Sequence, residues 1–507
     1  MASVLTHPTL KAELHGTEST SNGIPVTHYR GIPYGKIAQR FRKSELVDDW
    51  NNEKLDCSKF GPQCPQNYVE VEHMLRIPDL PGETPVPQRF EEDEFKCLNL
   101  NVSAPSGEGR GKGLLPVLVW IYGGSQVVSY LPLAHKGSDP TSLVAHSVTL
   151  NKPMIIVTFN YRLNIFGFGD QTEKNLALKD QRLAVEWVRK HIEGFGGDKD
   201  NITLAGESAG AIYVHAHIST GASVKRAILQ SGTLSLSLPL PQARGDGMIA
   251  MLRKAIQEKH GLSLDDAPSE MLLAQLADSN INTLWIQEEP DLIGWTERDS
   301  VVEEMLIGDC EYESVIWRNG VEAAGPAFIT KAFGDNLPKD QADLLKHLYN
   351  ISPTRSTPTT LGALDFIQDV RFARPVEQMA VNRRAQGRKT YRYLIDEPNP
   401  WQSSARCHHA LDLILLWGNY DLSFTKAAMK VSKAIRDSWV TFVSGEAPWD
   451  GNERMGFGPY GRVGIVDQEE FEARRRVRQW KALDGMKWAD LLAASGQLAG
   501  GRISLHN

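Results

Sequence analysis

The sequence predicts an α/β protein with a mainly parallel central sheet, helices on both of its faces and large insertions. Three observations carry that expectation. Apolar runs of strand length recur at residues 117–122, 154–159, 202–205, 227–230 and 391–396. Between them lie stretches with apolar residues at helical spacing, as in residues 178–188, and parallel strands need crossovers of that kind. The third is Gly206-Glu207-Ser208-Ala209-Gly210, a G-x-S-x-G element set between the strand run ending at Ala205 and a helix-like run from Ala211. In such a sheet the reacting groups gather at the carboxyl ends of the strands.

Bulk properties narrow the function classes. A length of 507 residues admits more than one domain, yet large α/β folds with insertions run as one, and a single domain over 1–507 is expected. With 41% hydrophobic and 23% charged residues the composition is that of an ordinary globular chain. The formal charge of −7 gives no electrostatic ground for a nucleic-acid partner. Residues 1–8 lack a cationic stretch followed by an apolar core, and no apolar run approaches ~18 residues, so a cytoplasmic protein without an integral membrane segment is expected. Five cysteines, an odd number, speak against a secreted disulfide framework. No histidine and cysteine cluster has zinc-site spacing, so neither metal nor cofactor is expected.

Ser208 is the centre of the chemistry. A serine hydroxyl attacks poorly unless a sharp strand-to-helix turn thrusts it out of the fold, and that turn leaves no room for flanking side chains, hence Gly206 and Gly210. The following helix aims its first amides at the place where an attacked carbonyl gathers negative charge. Upstream, the run 117–122 leads into Gly123-Gly124-Ser125-Gln126, a loop whose backbone N–H groups suit an oxyanion, with an ordinary glycine turn as the alternative.

A serine nucleophile needs a base, and the base an orienting acid, in the chain order Ser, acid, His. Residues 305–308 read as a strand end, followed by three carboxylates, Asp309, Glu311 and Glu313. After the strand 391–396 come two adjacent histidines, His408 and His409.

The stretch from Asn175 to Ala211 resembles the type-B carboxylesterase and lipase family, the cholinesterase-like branch of the α/β-hydrolases, and most of all its intracellular fungal-type esterases. The likeness runs from about Tyr29 to Trp449: Tyr29-Arg30-Gly31-Ile32-Pro33-Tyr34-Gly35, Phe60-Gly61-Pro62-Gln63-Cys64, Cys97-Leu98-Asn99-Leu100-Asn101, Asn160-Tyr161-Arg162-Leu163 and Gly445-Glu446-Ala447-Pro448-Trp449 match family segments. The resemblance implies the α/β-hydrolase fold, with Ser208 as nucleophile. It implies Glu313 as acid by counting from Gly308, and His409 as base because Asp412 and Leu413 then fall in the family's places. It implies the amides of Gly124, Ser125 and Ala209 as oxyanion donors, and Ser231, by a hydrogen bond to the acid, and Glu207 as supporting residues. Departures leave alternatives open. Ser314 replaces the glycine after the acid, so Glu311 and Asp309 stay as candidates, and His408 is the runner-up base. Ser125 and Gln126 replace a glycine and an aromatic, which implies a more polar entrance.

In secreted relatives the cysteines corresponding to Cys64 and Cys97 close a loop over the site. Here residues 65–96 hold no Trp and only Tyr68, Phe90 and Phe95 as aromatics; cholinesterase relatives hold a quaternary ammonium against a Trp in that loop, a role that an aromatic from elsewhere, such as Trp285 or Trp401, would have to take over. Cys57 is expected to be a buried spare thiol. Residues 234–240 read equally as an acyl pocket or a packing loop, and Arg474, Arg475, Arg476 and Arg478 as the basic end of a solvated helix. The function expected is a serine carboxylic-ester hydrolase acting through an acyl-enzyme on a small or medium, uncharged ester. An acyltransferase or lactone-forming enzyme with the same triad is one alternative, and an inactive binding or adhesion homologue the other.

Overall fold

The computed structural model describes residues 3–78, 89–295, 298 and 301–504; the centre of the loop between Cys64 and Cys97 and the first two residues lie outside that set. The apolar runs form strands of one large sheet. In chain order they are β1 (Ser3–His7), β2 (Ala12–Ser21), β3 (Ile24–Pro33), β4 (Asn99–Pro105), β5 (Leu115–Ile121), β6 (Ile155–Phe159), β7 (Gly197–Glu207), β8 (Arg226–Gln230), β9 (Glu304–Cys310), β10 (Lys389–Ile395), β11 (Arg454–Phe457) and β12 (Val463–Val466). Their order across the sheet is β1-β2-β3-β4-β6-β5-β7-β8-β9-β10-β11-β12, with Glu53–Asp56 pairing beside β2. From β6 across to β11 every pairing is parallel, and the flanking pairs are antiparallel. Strands such as β6 and β8 are buried along their whole length, which is why they read as continuous apolar runs and not as alternation.

Two helices next to β7 place the serine. Helix α1 (Leu176–His191) covers the sheet with Leu176, Leu178, Trp187 and Val188 buried. Helix α2 (Ala209–Ser219) is buried on every side, as its nearly all-apolar sequence demands, and begins two residues earlier than the Ala211 start read from the pattern. The described core is one continuous cluster from Leu10 to Ile503. Among the described residues no helix is long and apolar enough to cross a membrane.

One expectation is overturned outside the site. The arginine run does not form a solvated helix end: the helix stops at Arg474, and Arg475 turns inward, its Nε 2.9 Å from Asp309 Oδ2 and its Nη1 3.0 Å from Asp396 Oδ1. Arg476 binds Asp369 through two 2.9 Å hydrogen bonds. The carboxylates that attract them sit on β9, just after β10 and beside residues 356–368, distant in sequence, so local charge pattern does not reveal them. Of the run, Arg478 alone stays exposed.

Candidate active site

Strand β7 ends at Glu207 and α2 begins at Ala209, which forces Ser208 into a φ of 57° and a ψ of −121°. That region is costly for a residue with a side chain and recurs where a strained turn is part of a mechanism. Close packing explains the flanking glycines: a Cβ on Gly210 would lie 2.1 Å from the Ile121 carbonyl oxygen, and one on Gly206 2.5 Å from the Gly210 carbonyl carbon.

The Ser208 hydroxyl faces His409, with 2.9 Å between Oγ and Nε2. On the other side of the ring Nδ1 lies 2.5 Å from Glu313 Oε2. This places the acceptor nitrogen toward the serine and the N–H toward the carboxylate. Glu313 is fully buried and its second oxygen accepts the Cys310 N–H at 2.6 Å. Gln368 fastens the acid loop: its Oε1 accepts from the N–H groups of Glu313 (2.7 Å) and Ser314 (3.1 Å), and its Nε2 donates to the carbonyls of Cys310 and Glu311, each at 3.2 Å. The acid and histidine loops are zipped together by Tyr312 N–H to Cys407 O (2.8 Å) and His409 N–H to Tyr312 O (3.2 Å).

The alternative residues are engaged elsewhere. Asp309 is buried between Arg392 and Arg475. Glu311 accepts from Arg406 at 2.8 Å. His408 donates through Nδ1 to the His409 carbonyl at 2.9 Å and accepts through Nε2 from the Asn399 amide at 2.9 Å, and burial lowers its pKa to about 4.

Three carboxyl groups compete around one imidazole. Burial disfavours a charge on His409, but the carboxylates of Glu207 and Glu313 outweigh it and raise the pKa from 6.5 to about 9. Burial itself drives Glu207 well above the carboxylate range, against the attraction of His409 and with repulsion from Asp412 and Glu313. Both shifts cannot draw on an ionised Glu207 at once, and geometry decides. Glu313 has short hydrogen bonds to both oxygens, whereas Glu207 Oε1 lies 3.4 Å from His409 Nε2 and accepts no hydrogen bond. The negative charge therefore resides on Glu313, Glu207 is protonated, and Glu313 holds His409 up. Asp412, lifted to about 6 by burial and by Glu313, accepts from Gln230 Nε2 at 2.7 Å.

Ser208 opens into a pocket lined by Met74, Arg76, Gly124, Ser125, Tyr130, Glu207, Val315, Ile316, His408, His409, Ala410, Ile503 and Ser504. The N–H groups of Gly124, Ser125 and Ala209 have no acceptor among the described residues, and Gly124 and Ser125 line the pocket. Gly124 has a φ of 128°, and a Cβ there would lie 2.1 Å from the Val128 carbonyl oxygen, so the loop that carries these amides requires glycine.

Two expectations need correction, those for Ser231 and Gln126, and the other named residues can be placed. Ser231 makes no hydrogen bond to Glu313; its hydroxyl points at Cys310 Sγ, 3.9 Å away, while the Cys310 N–H donates to Glu313. Gln126 does not line the Ser208 cavity; it is buried, accepting from the Tyr213 hydroxyl at 3.2 Å. Leu234 and Leu236 pack in the core and are absent from the cavity wall. Trp285 packs on Phe168 and Trp401 on Tyr420, and neither reaches the serine. Cys64 and Cys97 are buried free thiols, and burial pushes Cys57 up to about 12. Among the described residues no group of three or more His, Cys, Asp and Glu side chains is arranged to hold a metal. The sequence reading missed Gln368, Met74, Arg76, Ile503 and Ser504, which come from segments without a local motif.

Comparison with known proteins agrees with this geometry. The profile of the carboxylesterase family matches residues 3–261. Lipase 3 of Yarrowia lipolytica is 29% identical over 512 aligned positions, covering 97% of this chain and 99% of its own. An inactive carboxylesterase-like protein of Byssochlamys spectabilis, VdtD, is 39% identical over 220 positions, covering 41% of this chain and 35% of its own. Among solved structures, a PNB esterase superposes with a TM-score of 0.71 at 24% identity, over 93% of this chain and 99% of that one, a likeness of fold.

Proposed function

The chain belongs to the carboxylesterase family, and on that premise we propose that Ser208, His409 and Glu313 are the catalytic triad with which it hydrolyses esters. The protein is a carboxylic-ester hydrolase. The observation that supports the residue assignment is the unbroken hydrogen-bonded series from the Ser208 hydroxyl through both His409 nitrogens to Glu313. Ser208 Oγ attacks the ester carbonyl while His409 Nε2 takes its proton, and Glu313 stabilises the imidazolium that forms. In this reading the oxygen of the tetrahedral intermediate turns negative and is stabilised by the amides of Gly124, Ser125 and Ala209, a role that their lack of an acceptor among the described residues supports. His409 then protonates the departing alcohol, and water repeats the sequence on the acyl-enzyme.

We read the substrate as a small or medium, uncharged ester, which the apolar part of the pocket wall, Met74, Val315, Ile316 and Ile503, supports. We read residues 1–507 as one hydrolase domain, which the continuous core supports. We also read the protein as cytoplasmic; five buried free thiols fit a reducing compartment, and cell fractionation tests it.

The experiment is turnover of p-nitrophenyl esters by Ser208→Ala, His409→Ala and Glu313→Gln. Losses of about three orders of magnitude or more in kcat are expected for the serine and histidine variants. Full activity in His409→Ala with loss in His408→Ala would reverse the assignment of the base. Because VdtD is named as inactive, a wild-type protein without turnover on any acyl length would also contradict the reading.

A further inference from the structure

We propose that Arg76 is an anion acceptor for the substrate, so that the pocket takes, beside uncharged esters, esters that also carry a carboxylate a few atoms from the scissile carbonyl. The proposal rests on Ser208 as nucleophile and extends the substrate range of that site.

Arg76 lines the same cavity as Ser208 and His409. Its backbone has a φ of 55°, a left-handed conformation disfavoured for arginine that the surroundings must enforce. They do so on both sides. The Arg76 N–H donates to His73 O at 3.0 Å and the Ile77 N–H to Glu72 O at 2.8 Å, while Leu75 and Ile77 are buried. The Leu75 carbonyl accepts from Asn399 Nδ2 at 2.9 Å. That same amide donates to His408, which in turn donates to the His409 carbonyl. The turn carrying Arg76 is thereby tied to the loop carrying the proposed base, and its position relative to Ser208 is set.

Among the described residues no carboxylate compensates the charge of Arg76. Among the described residues its guanidinium makes no ion pair and no hydrogen bond. The carboxylates nearby are spoken for: Glu72 pairs with His135 at 3.1 Å and Glu311 with Arg406 at 2.8 Å, and Glu207, in the same cavity, is kept neutral by burial. A half-buried guanidinium with its planar fork free matches a carboxylate in two-point geometry. The same charge repels a quaternary ammonium, so choline esters should be the poorest substrates, as the lack of a Trp in the described wall also requires.

The test compares kcat/KM for mono-p-nitrophenyl adipate with that for p-nitrophenyl hexanoate, which has the same chain length without the charge, in the intact protein, Arg76→Gln and Arg76→Lys. A ratio taken within one preparation cancels any loss of folded protein. The wild-type ratio should favour the half-ester by about tenfold and fall at high salt. Arg76→Gln should bring the ratio to about one through KM and not kcat, and Arg76→Lys should keep part of the preference. A wild-type ratio near one, or the same ratio in Arg76→Gln as in wild type, would overturn the proposal. Hexanoate hydrolysis surviving in Ser208→Ala would instead overturn the nucleophile assignment, so the two failures are distinguishable.

Discussion

At the scale of single residues the site turns on who carries charge around His409. In the proposed mechanism the imidazole must be neutral to accept the serine proton, and the hydrogen bond and charge of Glu313 hold its pKa above the ordinary 6.5. Activity should therefore rise with pH, with a midpoint in kcat/KM displaced above 6.5 and not at it. The assignment of the charge to Glu313 sharpens this. Glu207→Gln keeps the shape and removes only a group already held neutral, so the midpoint should stay in place; a fall of about one unit would show that Glu207 is ionised. Glu313→Gln should lower the midpoint and also slow turnover at every pH, since it removes the charge and leaves one acceptor oxygen for the two donors, His409 Nδ1–H and the Cys310 N–H, that the carboxylate serves. A pH profile for the three proteins on one neutral ester decides between these outcomes.

At the scale of elements the strand-turn-helix at Ser208 carries the tightest constraint. A Cβ on Gly210 would lie 2.1 Å from the Ile121 carbonyl on β5, so Gly210→Ala must push β5 from β7. A loss of roughly 1–3 kcal/mol in unfolding free energy is expected, with most of the activity gone. Gly464 on the β12 edge has open space around its Cβ position, and Gly464→Ala should leave both nearly unaltered. The same contrast explains what was legible in the sequence. Gly206, Ser208 and Gly210 announce themselves because one backbone conformation dictates three neighbouring residue types; chain order narrows the acid to Asp309, Glu311 or Glu313 and the base to His408 or His409, and only the family resemblance points to Glu313 and His409. The parallel strands were legible as apolar runs for the same local reason. Arg76, Gln368 and Ile503 were not, because each reaches the site from a loop, helix or tail whose own sequence obeys no pattern. Ser231 differs in another way: its position was readable, but its hydroxyl faces Cys310 Sγ and not Glu313.

At the scale of the whole molecule, buried ion pairs join the C-terminal segment to the strands behind the site. Arg475 bridges Asp309 on β9 and Asp396 beyond β10, and Arg392 shares Asp309. Their sequence separation of 166 residues between Arg475 and Asp309 is why the run looked like a solvated helix end. Removing one partner leaves buried carboxylates undercompensated, so Arg475→Met should cost about 3 kcal/mol or more, seen as a lower urea midpoint, whereas exposed Arg478→Met should change it little. The fold as a whole serves to bring Ser208, His409 and Glu313, which lie on three separate strand ends, into one hydrogen-bonded series. The most direct test of that claim is labelling of the native protein with a fluorophosphonate, followed by mass spectrometry of its peptides. The account predicts one adduct per chain on Ser208, none in Ser208→Ala, and labelling slowed by orders of magnitude in His409→Ala. An adduct on any other residue, or undiminished labelling in Ser208→Ala, would contradict it.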